Sequence, residues 1–438
     1  MLKVIRSSFL DFIDDPFYLS EAASVRYLED GLLVLENGKI KDFGTYEQLH
    51  EKYAAIDAIA YPDKLIMPGF IDTHIHYPQT AMVAAYGEQL LEWLNKYTFP
   101  TEAKFKDKSY AAEIAIAFLD ELLKNGTTTA LVFAAVFPES VDAFFEEAER
   151  RNLRMIAGKV MMNRNAPDFL LDTAQSSYDE TKALIEKWHQ KGRLLYAVTP
   201  RFAITSTDEQ LQLAGKLLAE FPDVYLHTHL SENVNEVQFV AELFPDSKGY
   251  LDVYDQAGLV KEKSIFAHGV QLTDQEFKRL SETKSAISFC PTSNLFLGSG
   301  LFKLHQAKSS ENPVKVGLGT DIGAGTSFSL LQTANEAYKV VQLQGEKLSS
   351  FKALFLATLG GARALSLEDK LGNFDIGKEA DFIVIDPKAT PAMALRNADF
   401  PVKTLEEIAD KAFAIMIMGD DRAIEATYIM GEIAYQSV

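Results

Sequence analysis

Between residues 69 and 321, short apolar runs alternate with amphipathic segments, and this alternation leaves few architectures open to the chain. The runs are GFIDTHIH, TTTALVFA, RMIAGKVMM, LLYAVTP, VYLHTHL, SIFAHGV, AISFCPTSN and VKVGLGTD. Each has the length and apolar content of a buried strand. The segments between them have helical spacing. KSYAAEIAIAFLDELLKNG closes on Asn125-Gly126, as a helix C-terminus does. Ser206 with Glu209, and Thr273 with Glu276, stand at capping-box spacing. Eight strands alternating with helices predict a (β/α)8 barrel.

The flanks read differently. Residues 1–68 look like short strands and turns, with a tight hairpin at Asn37-Gly38. From about residue 370 strand character returns, in LGNFDIGKEADFIVIDP and then AFAIMIMGDDRAIEATYIMGEIAY. Each piece is too small for a core of its own. The expectation is one composite β domain from 1–68 and 370–438, beside a barrel of 69–369.

Charge and cysteine usage narrow the partners. A formal net charge of −19 over 438 residues argues against binding nucleic-acid phosphates. Cys290 is the single cysteine, so no intrachain disulfide forms and a cytoplasmic setting fits. Asp11, Asp14 and Asp15 interrupt the N-terminal apolar residues where a signal peptide needs an unbroken run. No stretch of ~18 apolar residues suggests a membrane span.

A barrel places its chemistry at the C-terminal ends of its strands. His74 and His76 end the first run, on one face because side chains alternate along a strand. Arg201 follows the fourth run, His227 and His229 end the fifth, His268 ends the sixth and Asp321 the eighth. Five of the eight histidines therefore fall on one rim, and imidazole is the commonest nitrogen ligand for zinc or iron. His50, His189 and His305 lie in helical or loop contexts and read as surface residues. Of the fifth-run pair, His229 lies nearer Glu232, an acid placed to move protons beside a metal-bound water. His229 is thus the expected ligand, with His227 one step deeper as a packing or supporting residue. Asp321 stands in GTDIGAGT, where it reads either as a turn residue or as an anionic ligand; the histidines favour the ligand. Lys159 is on the third run and reads as locally paired. A single cysteine also excludes the H-x-E, P-C-x-x-C deaminase site.

PGFIDTHIH, HTHLSEN, AHG, PTSN and GTDIGAG resemble the amidohydrolase superfamily, in its deaminase and chlorohydrolase branch. HYPQTAMVAAYGEQLLEWLNKYTFPTE, GKVMMNRNAPDFLLDT and VTPRFAITS are similar to the guanine deaminases of that branch, and the likeness runs over nearly the whole chain. The resemblance implies a distorted barrel with a small β-sandwich, a homodimer, and one Zn2+ per chain held by His74, His76, His229 and Asp321. It implies purine contacts from Gln79, Arg201, Phe202, Glu232, His268 and Asp321. The expected reaction is hydrolysis of guanine to xanthine and ammonia. Zinc-generated hydroxide attacks C2, Asp321 and Glu232 shuttle protons, and His268 orients the hydroxide or stabilises the oxyanion. Arg201 is donor-only, so it suits the C6 carbonyl of guanine and would stand unpaired against the amino group of adenine.

Overall fold

The computed structural model describes residues 2–87 and 89–437. Four strands come first, β1 (Leu2–Phe12), β2 (Val25–Glu36), β3 (Lys39–Thr45) and β4 (Ile59–Pro68). The expected barrel strands follow as β5 (Phe70–His76), β6 (Thr127–Phe133), β7 (Arg154–Gly158) with its continuation β8 (Val160–Met161), β9 (Leu195–Pro200), β10 (Tyr225–Leu230), β11 (Ser264–His268), β12 (Ala286–Phe289) and β13 (Lys315–Leu318). The last three are β14 (Phe382–Ile385), β15 (Ile424–Ile429) and β16 (Glu432–Gln436).

Strands β5 to β13 form one parallel sheet in the order β13-β12-β11-β10-β9-β7-β6-β5, with β8 paired to β9. Every residue of β5 and β6 is buried, which explains why these runs show no polar alternation. The two end strands nearly close the barrel. Thr73 Oγ1 donates to the Leu318 carbonyl at 2.9 Å, and the Asp321 N–H donates to the His74 carbonyl at 2.9 Å. Glycine makes this approach possible. A Cβ on Gly317 would lie 2.4 Å from Thr73 Cγ2, and one on Gly319 would lie 2.5 Å from Ser288 Oγ and 3.0 Å from His74 Cβ. The seam therefore sets the distance between the histidines of β5 and the aspartate beyond β13.

The remaining strands form a second sheet, ordered β16-β15-β14-β4-β1-β2-β3. Both chain termini meet in it because β14 pairs antiparallel with β4. Asn37 and Gly38, at φ 54° and 80°, close the β2–β3 hairpin. The expected sandwich takes the form of one continuous sheet with an apolar cluster on each face. Ile5, Phe9, Leu33, Ile66, Phe382 and Tyr428 belong to one, and Val4, Leu32, Val34 and Tyr53 to the other.

Packing divides the chain into two compact units, 1–71 with 120–128 and 329–438, and 72–119 with 129–328. Residues 329–369, read from sequence with the barrel, pack with the first unit. Two local expectations are corrected. AFAIMIM is not a strand but the end of a helix, Leu405–Met418. Its apolar run looked strand-like, yet Ile408, Ala412, Ile415 and Met416 are buried at helical spacing, and Thr404 with Glu407 forms a reciprocal cap. The helix expected to start at Ser206 is capped by Thr207, which accepts from the Gln210 N–H at 3.3 Å; Ser206 is buried instead. Thr273 and Glu276 do form their capping box. Among the described residues no helix is long and apolar enough to cross a membrane.

The seam generates a prediction. Gly319→Ala forces a methyl group against Ser288, Cys290 and His74. Stability should fall by ~1–3 kcal/mol, the usual cost of overpacking. Urea unfolding checks this, and an unchanged midpoint would show that the seam gives way freely.

Candidate active site

His74 and His76 end β5, His229 is the next-to-last residue of β10, and Asp321 lies just beyond β13. Their ligand atoms converge. His74 Nε2 and His76 Nε2 are 3.2 Å apart, and His76 Nε2 and His229 Nε2 are 3.3 Å apart. Asp321 Oδ1 is 3.2 Å from Nε2 of both His74 and His76. Zinc bonds of about 2.0–2.1 Å in a tetrahedron require ligand atoms roughly 3.3–3.4 Å apart, so the spacing fits such an ion.

The protons fit it too. His229 Nδ1 is 2.7 Å from the Arg201 carbonyl, which can only accept, so Nδ1 carries the hydrogen and Nε2 presents a lone pair. His74 Nδ1 meets His227 Nε2 at 2.7 Å, which leaves His74 Nε2 free to ligate when Nδ1 is the donor. Burial keeps the imidazoles neutral: the pKa of His76 is pushed down to about 3, and those of His74 and His229 are also lowered. Burial alone would raise Asp321, but His74, His76 and His268 reverse this and hold its carboxyl well below the usual range. Neutral imidazoles and one carboxylate, with lone pairs directed at one point, are the donor set of a divalent cation.

A brace lies beneath. Asp72 is buried and accepts the N–H groups of His74 and Thr320, each at 3.1 Å, and the Thr320 hydroxyl. It ties β5 to the residue preceding Asp321. Asp321 and His268 have φ of 52° and 74°, a left-handed conformation that non-glycine residues hold only when their surroundings impose it. Asp72 stood within PGFIDTHIH, but nothing in its spacing showed a bracing role.

Glu232 and His268 face the same point. Glu232 Oε1 accepts from Ser299 Oγ at 3.0 Å, and Oε2 lies 3.5 Å from His268 Nε2. His268 Nδ1 is 2.8 Å from Asn294 Oδ1, the asparagine of PTSN. Glu236 fixes the backbone here, accepting the Glu232 N–H at 2.7 Å and the Asn233 N–H at 3.0 Å. Burial, then repulsion from Asp321, pushes the Glu232 pKa up to about 8. Its carboxyl thus holds a proton to higher pH than an ordinary glutamate does.

A cavity of about 400 Å³ opens above this cluster. Leu90, Trp93, Leu94, Phe202 and Leu297 give it apolar walls, while Gln79, Arg201, Glu232 and His268 give it polar ones. Arg201 is ion-paired within this wall. Its Nη1 donates to Glu102 at 2.8 and 3.0 Å, and both side chains are buried. Gln79 Nε2 donates to the same carboxylate at 3.1 Å. The segment from Leu90 to Glu102, with Gln79 and Arg201, is where sequence placed the choice of base; within it Glu102 ends a series of short helical pieces with no repeating pattern, Leu90–Trp93, Leu94–Thr98 and Phe99–Glu102, so nothing local marked its role.

The other singled-out residues lie apart. Lys159 is fully buried, ion-paired to Asp172 and, at 3.2 Å, to Glu180. His50, His189 and His305 are outside the cluster but partly buried, a correction to their reading as surface residues. His189 Nδ1, for instance, accepts the Tyr196 N–H at 3.1 Å, a contact made only in the folded chain.

Comparison with known proteins adds an independent line. The Amidohydrolase family model matches residues 65–434. A guanine deaminase of Escherichia coli (strain K12) is 57% identical over 439 residues, covering 99% of this chain and 98% of its own. Its solved structure superposes with a TM-score of 0.95 at 56% identity and full coverage of both chains. A probable guanine deaminase of Deinococcus radiodurans is 41% identical over 99% of each chain. A structure from C. acetobutylicum, described as guanine deaminase with guanine bound in the active site, is 29% identical with a TM-score of 0.89, covering 99% of this chain and 100% of that one.

The converging donors predict about one divalent metal per chain by elemental analysis. His74→Ala and His229→Ala should each lose it, and chelation should lower the melting temperature, since binding to the folded state alone stabilises by ~4 kcal/mol at a thousandfold excess over Kd. Metal retained in both variants, or two metals per chain, would break the ligand assignment.

Proposed function

Because this chain belongs to the amidohydrolase family, we propose that it is a zinc-dependent deaminase that hydrolyses guanine to xanthine and ammonia. The observation that carries this reading is one cavity lined by three converging histidines and Asp321, with Glu232 and His268 beside them and Arg201 fixed by Glu102. Relatives similar over their whole length bear the name of this activity. The proposal extends to one zinc per chain and a homodimer, as the sequence resemblance implies, and to a cytoplasmic setting, which the single cysteine fits.

Zinc, when bound by His74, His76, His229 and Asp321, supplies a Lewis acid that lowers the pKa of water toward neutrality. The chain's own groups do the rest. Arg201 and Gln79 hold the purine, and the apolar walls exclude bulk water. Asp321 accepts a proton from the attacking water as its oxygen adds to C2. Glu232 donates to the adjacent ring nitrogen, which receives the electron pair displaced from the C2=N bond. His268, oriented through Asn294, stabilises the developing charge. Asp321 passes its proton to the C2 amino group, which leaves as ammonia as the C2–N bond breaks, while the hydroxyl proton returns to Glu232 and the ring retains the water oxygen as the C2 carbonyl of xanthine.

Arg201 bears on the choice of base. Glu102 engages only Nη1, and the other guanidinium nitrogens make no hydrogen bond among the described residues. Guanine offers a C6 carbonyl to these donors; adenine offers an amino group, so donor meets donor. Facing adenine, the remaining guanidinium donors would stand buried and unpaired, which is the penalty.

Incubation with guanine should yield xanthine and ammonia, and adenine should not be turned over; absence of guanine turnover, or equal rates on both bases, would overturn the reading. Glu232→Gln should keep its metal and lose ~10²–10⁴-fold in turnover. The working form of Glu232 is protonated, and its pKa is raised, so activity should fall as pH rises through about 8. That alkaline limb should vanish from the residual activity of Glu232→Gln. Arg201→Ala should spare the metal and remove most guanine activity.

A further inference from the structure

Glu102 touches two residues of the cavity wall without lining the cavity itself. It is fully buried, and it accepts from Arg201 Nη1 through both oxygens and from Gln79 Nε2 through Oε1. At the far end of the Gln79 amide, Oε1 accepts the Gly323 N–H at 3.3 Å. An acceptor at one end and a donor at the other permit one orientation of that amide only. Arg201 is confined similarly, with the Phe99 ring 5.5 Å from its guanidinium carbon. Phe99 and Glu102 lie in one short helix, so one segment holds the arginine by charge and by an aromatic ring.

We infer that Glu102 is a positioning residue that sets the hydrogen-bond pattern Arg201 and Gln79 present to the substrate, and so sets discrimination at the C6 edge of the purine. This rests on guanine being the substrate. The carboxylate spends Nη1 and one amide hydrogen on itself and leaves the remaining guanidinium donors for the ligand.

Glu102→Gln tests the inference at constant size. An amide nitrogen in place of Oε2 faces Arg201 Nη1 at 2.8 Å; in place of Oε1 it faces both Arg201 Nη1 and Gln79 Nε2. Donor opposes donor either way. The readouts are metal content, KM and kcat for guanine, and selectivity for guanine over 2-aminopurine, which keeps the C2 amino group but lacks the C6 oxygen. 2-Aminopurine is followed as substrate or as competitive inhibitor. The E102Q enzyme should retain metal, lose ~10²-fold in kcat/KM for guanine, mainly through KM, and lose most of its selectivity. In an Arg201→Ala background the same change should cost far less, because the two residues act as a unit. Glu102→Asp keeps the charge but shortens the reach, and should give intermediate selectivity, which decides the matter if E102Q does not fold. Wild-type selectivity in E102Q or, failing that protein, in E102D would overturn the inference. So would equal losses on both purines, or an undiminished effect in the Arg201→Ala background. Failure of the wild-type enzyme on guanine would instead overturn the substrate reading.

Discussion

Lone pairs of like sign do not converge of their own accord. Nε2 of His74, His76 and His229 and Oδ1 of Asp321 make four contacts of 3.2–3.3 Å at the barrel rim, with no proton available to reconcile every one. Only a rigid frame holds such an arrangement, and a cation relieves it. The frame is the closure of β5 against the end of β13, made by Thr73, Asp72 and side-chain-free Gly317 and Gly319. Loosening that seam moves His74 and His76 relative to Asp321, whatever becomes of the rest of the barrel.

The same crowding divides labour between two carboxyl groups. Asp321 sits among imidazoles and stays ionised. Glu232 is equally buried but meets the charge of Asp321 and one serine hydroxyl, and its pKa climbs to about 8. One carboxyl pKa is thus lowered and another raised within one cluster. Their assignment comes from their neighbours, since both are ordinary carboxylates by composition.

Legibility in the sequence followed the reach of the interactions. The eight barrel strands could be read because strand burial and helix periodicity repeat locally. The histidines could be placed on one rim because a parallel barrel delivers every strand end to the same side. Local signals failed where two were superimposed: AFAIMIM has the apolarity of a strand, and only its place behind the Thr404–Glu407 cap marks it as a helix. The pairing of Glu102 could not be read for another reason. Its partners are 99 and 23 residues away in sequence, and no local pattern distinguishes a buried carboxylate from a solvated one.

By itself, then, the sequence determined the barrel, the composite sheet from both termini and the side chains collected at the strand ends, because these depend on hydrophobic period and chain direction. Tertiary structure alone decided which lone pairs meet, that the pKa of Glu232 is raised while that of Asp321 is lowered, and that Arg201 is held by Glu102. Those properties depend on separations of a few ångströms between residues distant in the chain, and on the loss of water around them. No pattern along the chain encodes either quantity.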